Sequence, residues 1–138
     1  MKPGTVITST QNPKIKGLLA LEKPRERRKQ QLFLIEGKRE IQWALEAGYK
    51  IGNLFYCEEI ISLAALGRNM TEGRMVIPVT PEVFEKIAVR ESSGGVVAVA
   101  EMKVHLLSDL HLPEKPLILI IEAVEKPGNQ PAPRTGAC

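Results

Sequence analysis

The sequence predicts an α/β fold, a sandwich in which helices cover both faces of a mixed sheet. Three observations carry this reading: four short apolar runs between residues 32 and 102, helix-period segments between them, and Gly or Pro at most of the junctions. The chain has 138 residues, of which 43% are hydrophobic and 25% charged. That balance belongs to a globular domain able to bury roughly two-thirds of the surface its unfolded chain exposes.

Taken in order, the first element is a helix over residues 13–22, capped by Asn12, opened by Pro13 and striped by Ile15, Leu18 and Leu19. Pro24 interrupts it and the basic run KPRERRKQ (23–30) follows, so residues 1–31 form a helical, basic N-terminal extension. LFLIEG (32–37) is a short apolar run ended by glycine and suits a buried strand. Residues 38–47 return to helical periodicity through Ile41, Ala44 and Leu45, with Gly48 as terminator. Trp43, on the same helix, reads as a core or interface residue rather than a base-stacking one. IGNLFYC (51–57) is a strand, 58–66 a helix, RMVIPV (74–79) a strand, 81–88 a helix capped by Thr80, and VVAVAEM (96–102) a further strand.

After residue 104 the composition changes. Residues 105–116 contain Pro113, Pro116, His105 and His111 and read as a linker or irregular helix. LILIIEAV (117–124) is apolar at nearly every position and requires cover on both faces. Either it opens a second domain or it adds to the first sheet. EKPGNQPAPRTGAC (125–138) carries three prolines and cannot supply the crossover helix such a strand needs.

Several classes are excluded. The longest apolar run, 117–121, is far short of a membrane span, and MKPGTVITST lacks the apolar core of a signal peptide. A cytoplasmic protein with no membrane partner is expected. Cys57 and Cys138 show no CxxC or metal-ligand spacing, so neither a disulfide framework nor a metal site is expected. The formal net charge is +3, but residues 14–40 hold nine Lys/Arg against four Glu, a local +5 that leaves −2 elsewhere. Lys14, Lys16, Arg25, Arg27, Arg28 and Lys29 are candidate phosphate contacts, the bland alternative being a solvated, salt-bridged helix face. Lys38 and Arg39 stand at a helix start, where the dipole disfavours cations, which adds weight to a role in binding. Ser92, Ser93, Gly94 and Gly95, flanked by Arg90, form either a loop whose N–H groups approach a phosphate or a tight turn into a strand. With one Trp, two Tyr and three Phe, a stacking platform for bases is not written in the sequence. Nucleic acid is the natural partner to test, and RNA, if bound, would be held mainly through its backbone and folded shape.

These segments carry a resemblance. ITSTQNPKIKGLLAL with its basic run, LFLIEGKREIQWAL (32–45), ESSGGVVAVAEM (91–102) and PLILIIEAVEKPGN (116–129), in that order, resemble the SpoU (TrmH-type) RNA ribose 2′-O-methyltransferases of the SPOUT superfamily. The resemblance implies that residues 1–104 are the family's RNA substrate-binding domain, with a ribosomal-protein-type RNA-binding fold, and that 105–116 link it to the catalytic domain. Residues 117–138 would then be the first strand and partial first motif of a truncated, knotted methyltransferase domain. It places the SSGG loop near the RNA-facing surface and implies rRNA or tRNA as substrate, S-adenosylmethionine as cofactor of the full-length enzyme, and a homodimer. The cofactor segments of the family lie further on, so no S-adenosylmethionine is expected on this chain and it is expected to be inactive alone. Asn129 and Arg134 match the residues that place and activate the ribose hydroxyl, although they stand five apart here rather than six as in PGNLGAILRTA. A stand-alone ribosomal-type RNA-binding protein and a protein–protein adaptor are the competing readings.

Overall fold

A computed structural model describes residues 4–89 and 93–122. Its elements are α1 (Pro13–Ala20), α2 (Pro24–Gln30), β1 (Leu32–Glu36), α3 (Lys38–Glu46), β2 (Ile51–Tyr56), α4 (Leu63–Leu66), α5 (Arg68–Thr71), β3 (Val76–Pro78), α6 (Pro81–Ile87) and β4 (Val96–Glu101), followed by a 3-10 turn at Leu107–Asp109. The strands form one sheet in the order β1-β4-β2-β3. β4 runs antiparallel to both of its neighbours, whereas β2 and β3 are parallel, so the sheet is mixed. Ile7 adds a parallel bridge beside Val79.

Alternation along the strands divides the core into two layers. On one face Phe55, Cys57, Ile77 and Val97 meet Ile15 and Leu18 of α1 and Val83, Phe84 and Ile87 of α6. On the other, Leu54, Tyr56, Val76, Val96, Ala98 and Ala100 meet Ile41 of α3, Leu66 of α4 and Met70 of α5. Each fully buried Leu, Ile or Phe contributes roughly 1.5–3 kcal/mol, so both helical layers are needed to hold the sheet.

The predicted helices and strands up to residue 104 are present, with three local differences. The helix expected over 58–66 is instead a turn followed by α4 and α5. Ser62 Oγ accepts the Ala65 N–H (3.2 Å) and starts α4, and Gly67 at φ +84° breaks the path before α5. The strand expected over 74–79 shortens to β3 because Arg74 turns back, its Nη1 donating to the carbonyls of Asn69 (2.9 Å), Met70 (3.1 Å) and Glu72 (3.2 Å). Trp43 is 44% exposed and is not core. At 100° per residue it stands roughly 200° from Ile41, on the opposite side of α3.

Contacts divide the chain between Val104 and His105. In the second unit the expected strand at 117–124 is not formed over its described part: residues 117–122 have no ladder partner and are exposed, Leu117 at 99%. The physical reason is that strand propensity has no effect without a neighbour, and a segment apolar on both faces needs two covering layers. Ala123 and Val124 lie outside the described residues. Among the described residues, no helix is long and apolar enough to cross a membrane, and no group of His, Cys, Asp and Glu could hold a metal ion.

The entry into β4 depends on Gly95. Its φ is +82°, and a Cβ there would stand 2.8 Å from Ile60 side-chain atoms, whereas Gly94, at φ +64°, has open space around it. Gly95→Ala is therefore expected to cost about 2 kcal/mol or more and Gly94→Ala about 1 kcal/mol, measured by urea unfolding. Equal losses would show that backbone conformation alone sets the cost.

Candidate nucleic-acid interface

Helix α2 carries the basic run on a frame with no buried residue. Pro24 opens it, and Gln31 in the left-handed region (φ 56°) closes it and turns the chain into β1. Arg27 is half-buried and holds the helix to its neighbour: its Nη1 donates to the carbonyls of Leu21 (2.9 Å) and Glu22 (2.7 Å), just past the end of α1. Arg25, Arg28 and Lys29 are exposed and make no ion pair among the described residues. Glu26, the acid within the run, instead accepts from Gln30 Nε2 (3.2 Å). A salt-bridged face is thus not what α2 presents. Lys14 and Lys16 are exposed on α1, flanking the buried Ile15.

A second cationic group stands at the other end of β1. Gly37 (φ +99°) donates its N–H to Val96 O (2.9 Å), and α3 begins at Lys38. Lys38 Nζ donates to Ala65 O (2.5 Å), so its ammonium lies over α4. Arg39 is exposed, with its guanidinium 5.8 Å from the Trp43 ring centroid. Because β1 pairs antiparallel with β4, the Ser93–Gly94–Gly95 turn is at this same end. The turn contributes less surface than expected: Ser93 is only 4% exposed, Gly95 is buried and fixed by the fold, and Gly94 alone of the three faces solvent. Arg90, Ser92, Asn129 and Arg134 lie outside the described residues.

The expected phosphate contacts therefore divide into two sets. Arg25, Arg28 and Lys29 precede β1, whereas Lys38 and Arg39 follow its far end, where Gly94 also lies, so the five residues of β1, about 17 Å of extended chain, stand between the two sets in sequence. The signal missed in the sequence was the α3 side of the second set, where Trp43 joins Arg39. A groove of about 590 Å3 between α3 and α5 continues it, lined in part by Lys38, Gln42, Arg68 and Asn69.

Neither Cys57 nor Tyr56 is activated as a nucleophile. Burial is the main cause that raises the Cys57 thiol pKa, and its hydrogen bond to Glu59 (3.2 Å) acts in the same direction. Burial likewise raises the Tyr56 phenol, with Glu58 adding to the shift. Both groups are protonated at neutral pH.

A family model described as the MRM3-like substrate-binding domain matches residues 12–98. No curated protein sequence matches the chain. Among solved structures, the chain is similar to an RNA 2′-O ribose methyltransferase, with 34% identity over 91% of this chain and 48% of that one and a TM-score of 0.75. It is also similar to an AdoMet-bound rRNA methyltransferase from Sinorhizobium meliloti (30% identity, 80% of this chain, 41% of that one, TM-score 0.62). The SpoU methyltransferase AviRb from Streptomyces viridochromogenes, in complex with AdoMet, matches at 25% identity over 75% of this chain and 40% of that one, with a TM-score of 0.63. The chain spans about half the length of these structures or less.

The two classes of cation in α2 are separable. Arg27→Ala removes two charge-assisted bonds at a half-buried site and is expected to lower stability by about 1 kcal/mol. Arg25→Ala and Arg28→Ala should stay within about 0.5 kcal/mol of the parent in the same urea titration. Equal effects at all three would mean that the Arg27 contacts do not hold α2.

Proposed function

The chain belongs to the MRM3-like substrate-binding domain family of SpoU-type RNA methyltransferases, and from that premise we propose that it docks structured RNA, rRNA or tRNA, through α2 and the start of α3. The observation that carries this reading is the set of exposed cations Arg25, Arg28 and Lys29, which no acid neutralises among the described residues. Cations held free of internal partners are available to replace condensed counterions on a phosphate backbone, and that release drives association. The second set, Lys38 and Arg39, follows the far end of β1, and a folded RNA contacting both sets through its phosphates is read by shape and not by base sequence.

In the full-length enzyme this domain would hold the RNA so that a ribose 2′-hydroxyl meets a catalytic domain, with S-adenosylmethionine as methyl donor and a homodimer as the working unit. The AdoMet complexes of two similar structures support that cofactor for the whole protein. The groove beside α3 does not fit it: it is open, and Lys38, Arg68 and Arg74 outnumber its one acid, Glu46, a net cationic lining that opposes a sulfonium and offers no enclosed slot for adenine. Asn129 and Arg134 are the candidates for placing the hydroxyl. A guanidinium remains protonated, so Arg134 would act by electrostatic positioning and not as a base.

Affinity for structured RNA is expected to fall steeply with salt. Replacing Arg25, Arg28 and Lys29 together by Gln should flatten the slope of log K against log salt by about two to three units, measured by filter retention from 50 to 300 mM salt. An unchanged slope would remove α2 from the interface.

A further inference from the structure

We propose that the outer face of α3 is a base-stacking subsite, in which an unpaired RNA base stacks on Trp43 while Arg39 and Lys38 engage its flanking phosphates. This rests on the RNA-docking reading and adds to it a contact with a base, which α2 lacks. Three observations point to a nucleotide. Trp43 is 44% exposed on a helix whose other apolar residues turn inward, so its indole face is not committed to the core. Arg39 lies over the ring at 5.8 Å, which holds a cation and a π-surface side by side. Both residues line a concavity of about 380 Å3 with Lys38, Gln42 and Glu46, which adjoins the larger groove that Arg68 and Asn69 line. The single acid, Glu46, is engaged by Gln42 Nε2 (3.1 Å).

A protein partner is the competing occupant, and the surroundings disfavour it. A protein interface centred on a Trp buries apolar neighbours around it. No other large hydrophobic residue of α3 is exposed, and the residues beside the ring are Arg39, Lys38 and Gln42. Cation plus isolated aromatic is the composition that binds single-stranded nucleic acid.

Trp43 is the only tryptophan in the sequence, so its emission reports this site directly. The probe is a 12-nucleotide oligo(A) RNA, titrated by tryptophan fluorescence and in parallel by filter retention, with inorganic polyphosphate as the control polyanion. Oligo(A) is expected to quench the emission saturably, and polyphosphate to bind without quenching. Trp43→Ala should weaken oligo(A) retention roughly 5- to 100-fold and Trp43→Phe by no more than a few-fold, with polyphosphate retention unchanged in both. Because the side chain is on the solvent side of α3, circular dichroism should show both variants folded. Oligo(A) retention that is equal in Trp43→Ala and accompanied by no quenching would overturn the subsite and leave docking through α2 standing. An emission shift that tracks protein concentration without RNA would overturn it in favour of a protein contact. If neither oligo(A) nor a structured RNA is retained by the parent protein, the docking reading itself fails.

Discussion

Strand β4 is the constraint on which the rest of the structure depends. Val96, Val97, Ala98 and Ala100 are fully buried, and the strand pairs antiparallel with β1 on one side and β2 on the other. It is the last strand among the described residues, yet it occupies an inner position in the sheet. Leu32 pairs with Glu101 across almost seventy residues of sequence, so β1 has no place in the sheet until β4 is made. Long-range closure of this kind makes formation of the sheet an event of the whole domain and not of its N-terminal half. The small side chains of Ala98 and Ala100 on one face let α3 lie close, and Ile41, fully buried, fills the space between helix and sheet.

The position of every proposed RNA contact follows from that closure. β1 is bounded by the basic helix before it and by Gly37 and α3 after it, so its five residues stand between the two cationic sets in the chain. Gly37 N–H bonds Val96 O at one end and Met102 N–H bonds Gln31 O at the other. The same ladder that closes the core therefore fixes both ends of the candidate surface. The Ser93–Gly94–Gly95 turn is part of this structural work. Its positive φ values and the close approach of Gly95 to Ile60 are what bring β4 between its neighbours, which explains a glycine pair there without any ligand.

Most of the fold was legible because the relevant signals are local. Asn12-Pro13, Gly37, Gly48, Thr80-Pro81 and Gly94-Gly95 punctuate segments whose apolar period is unambiguous, and element ends fall within a few residues of them. What was not legible depends on angle or on partners. Trp43 is adjacent in sequence to Ala44 and Leu45, but helical geometry turns it away from them, so a count of nearby apolar residues misplaces it. Arg27 is indistinguishable from Arg25 and Arg28 in composition, yet only Arg27 reaches the Leu21 and Glu22 carbonyls. Residues 117–122 carry the strongest strand signal in the chain and form no strand, because that signal describes a preference for a pleated, covered surface which the described residues do not supply. The scarcity of aromatic residues in the sequence has no bearing on whether one tryptophan faces solvent.

Helix α2 shows how a weak element can still present an ordered charge pattern. Seven residues with no buried side chain do not form a stable helix alone, since nucleation is costly and too few bonds follow to offset it. Its geometry is imposed from both ends: Pro24 sets the first φ, Gln31 takes the left-handed turn into β1, and Arg27 ties the middle to the carbonyls beyond α1. A guanidinium is suited to that role because it satisfies orphan carbonyls while keeping its charge. One arginine thus orders the helix without subtracting from the positive potential that Arg25, Arg28 and Lys29 present. The stability of this segment and its affinity for a polyanion consequently rest on different side chains of the same run.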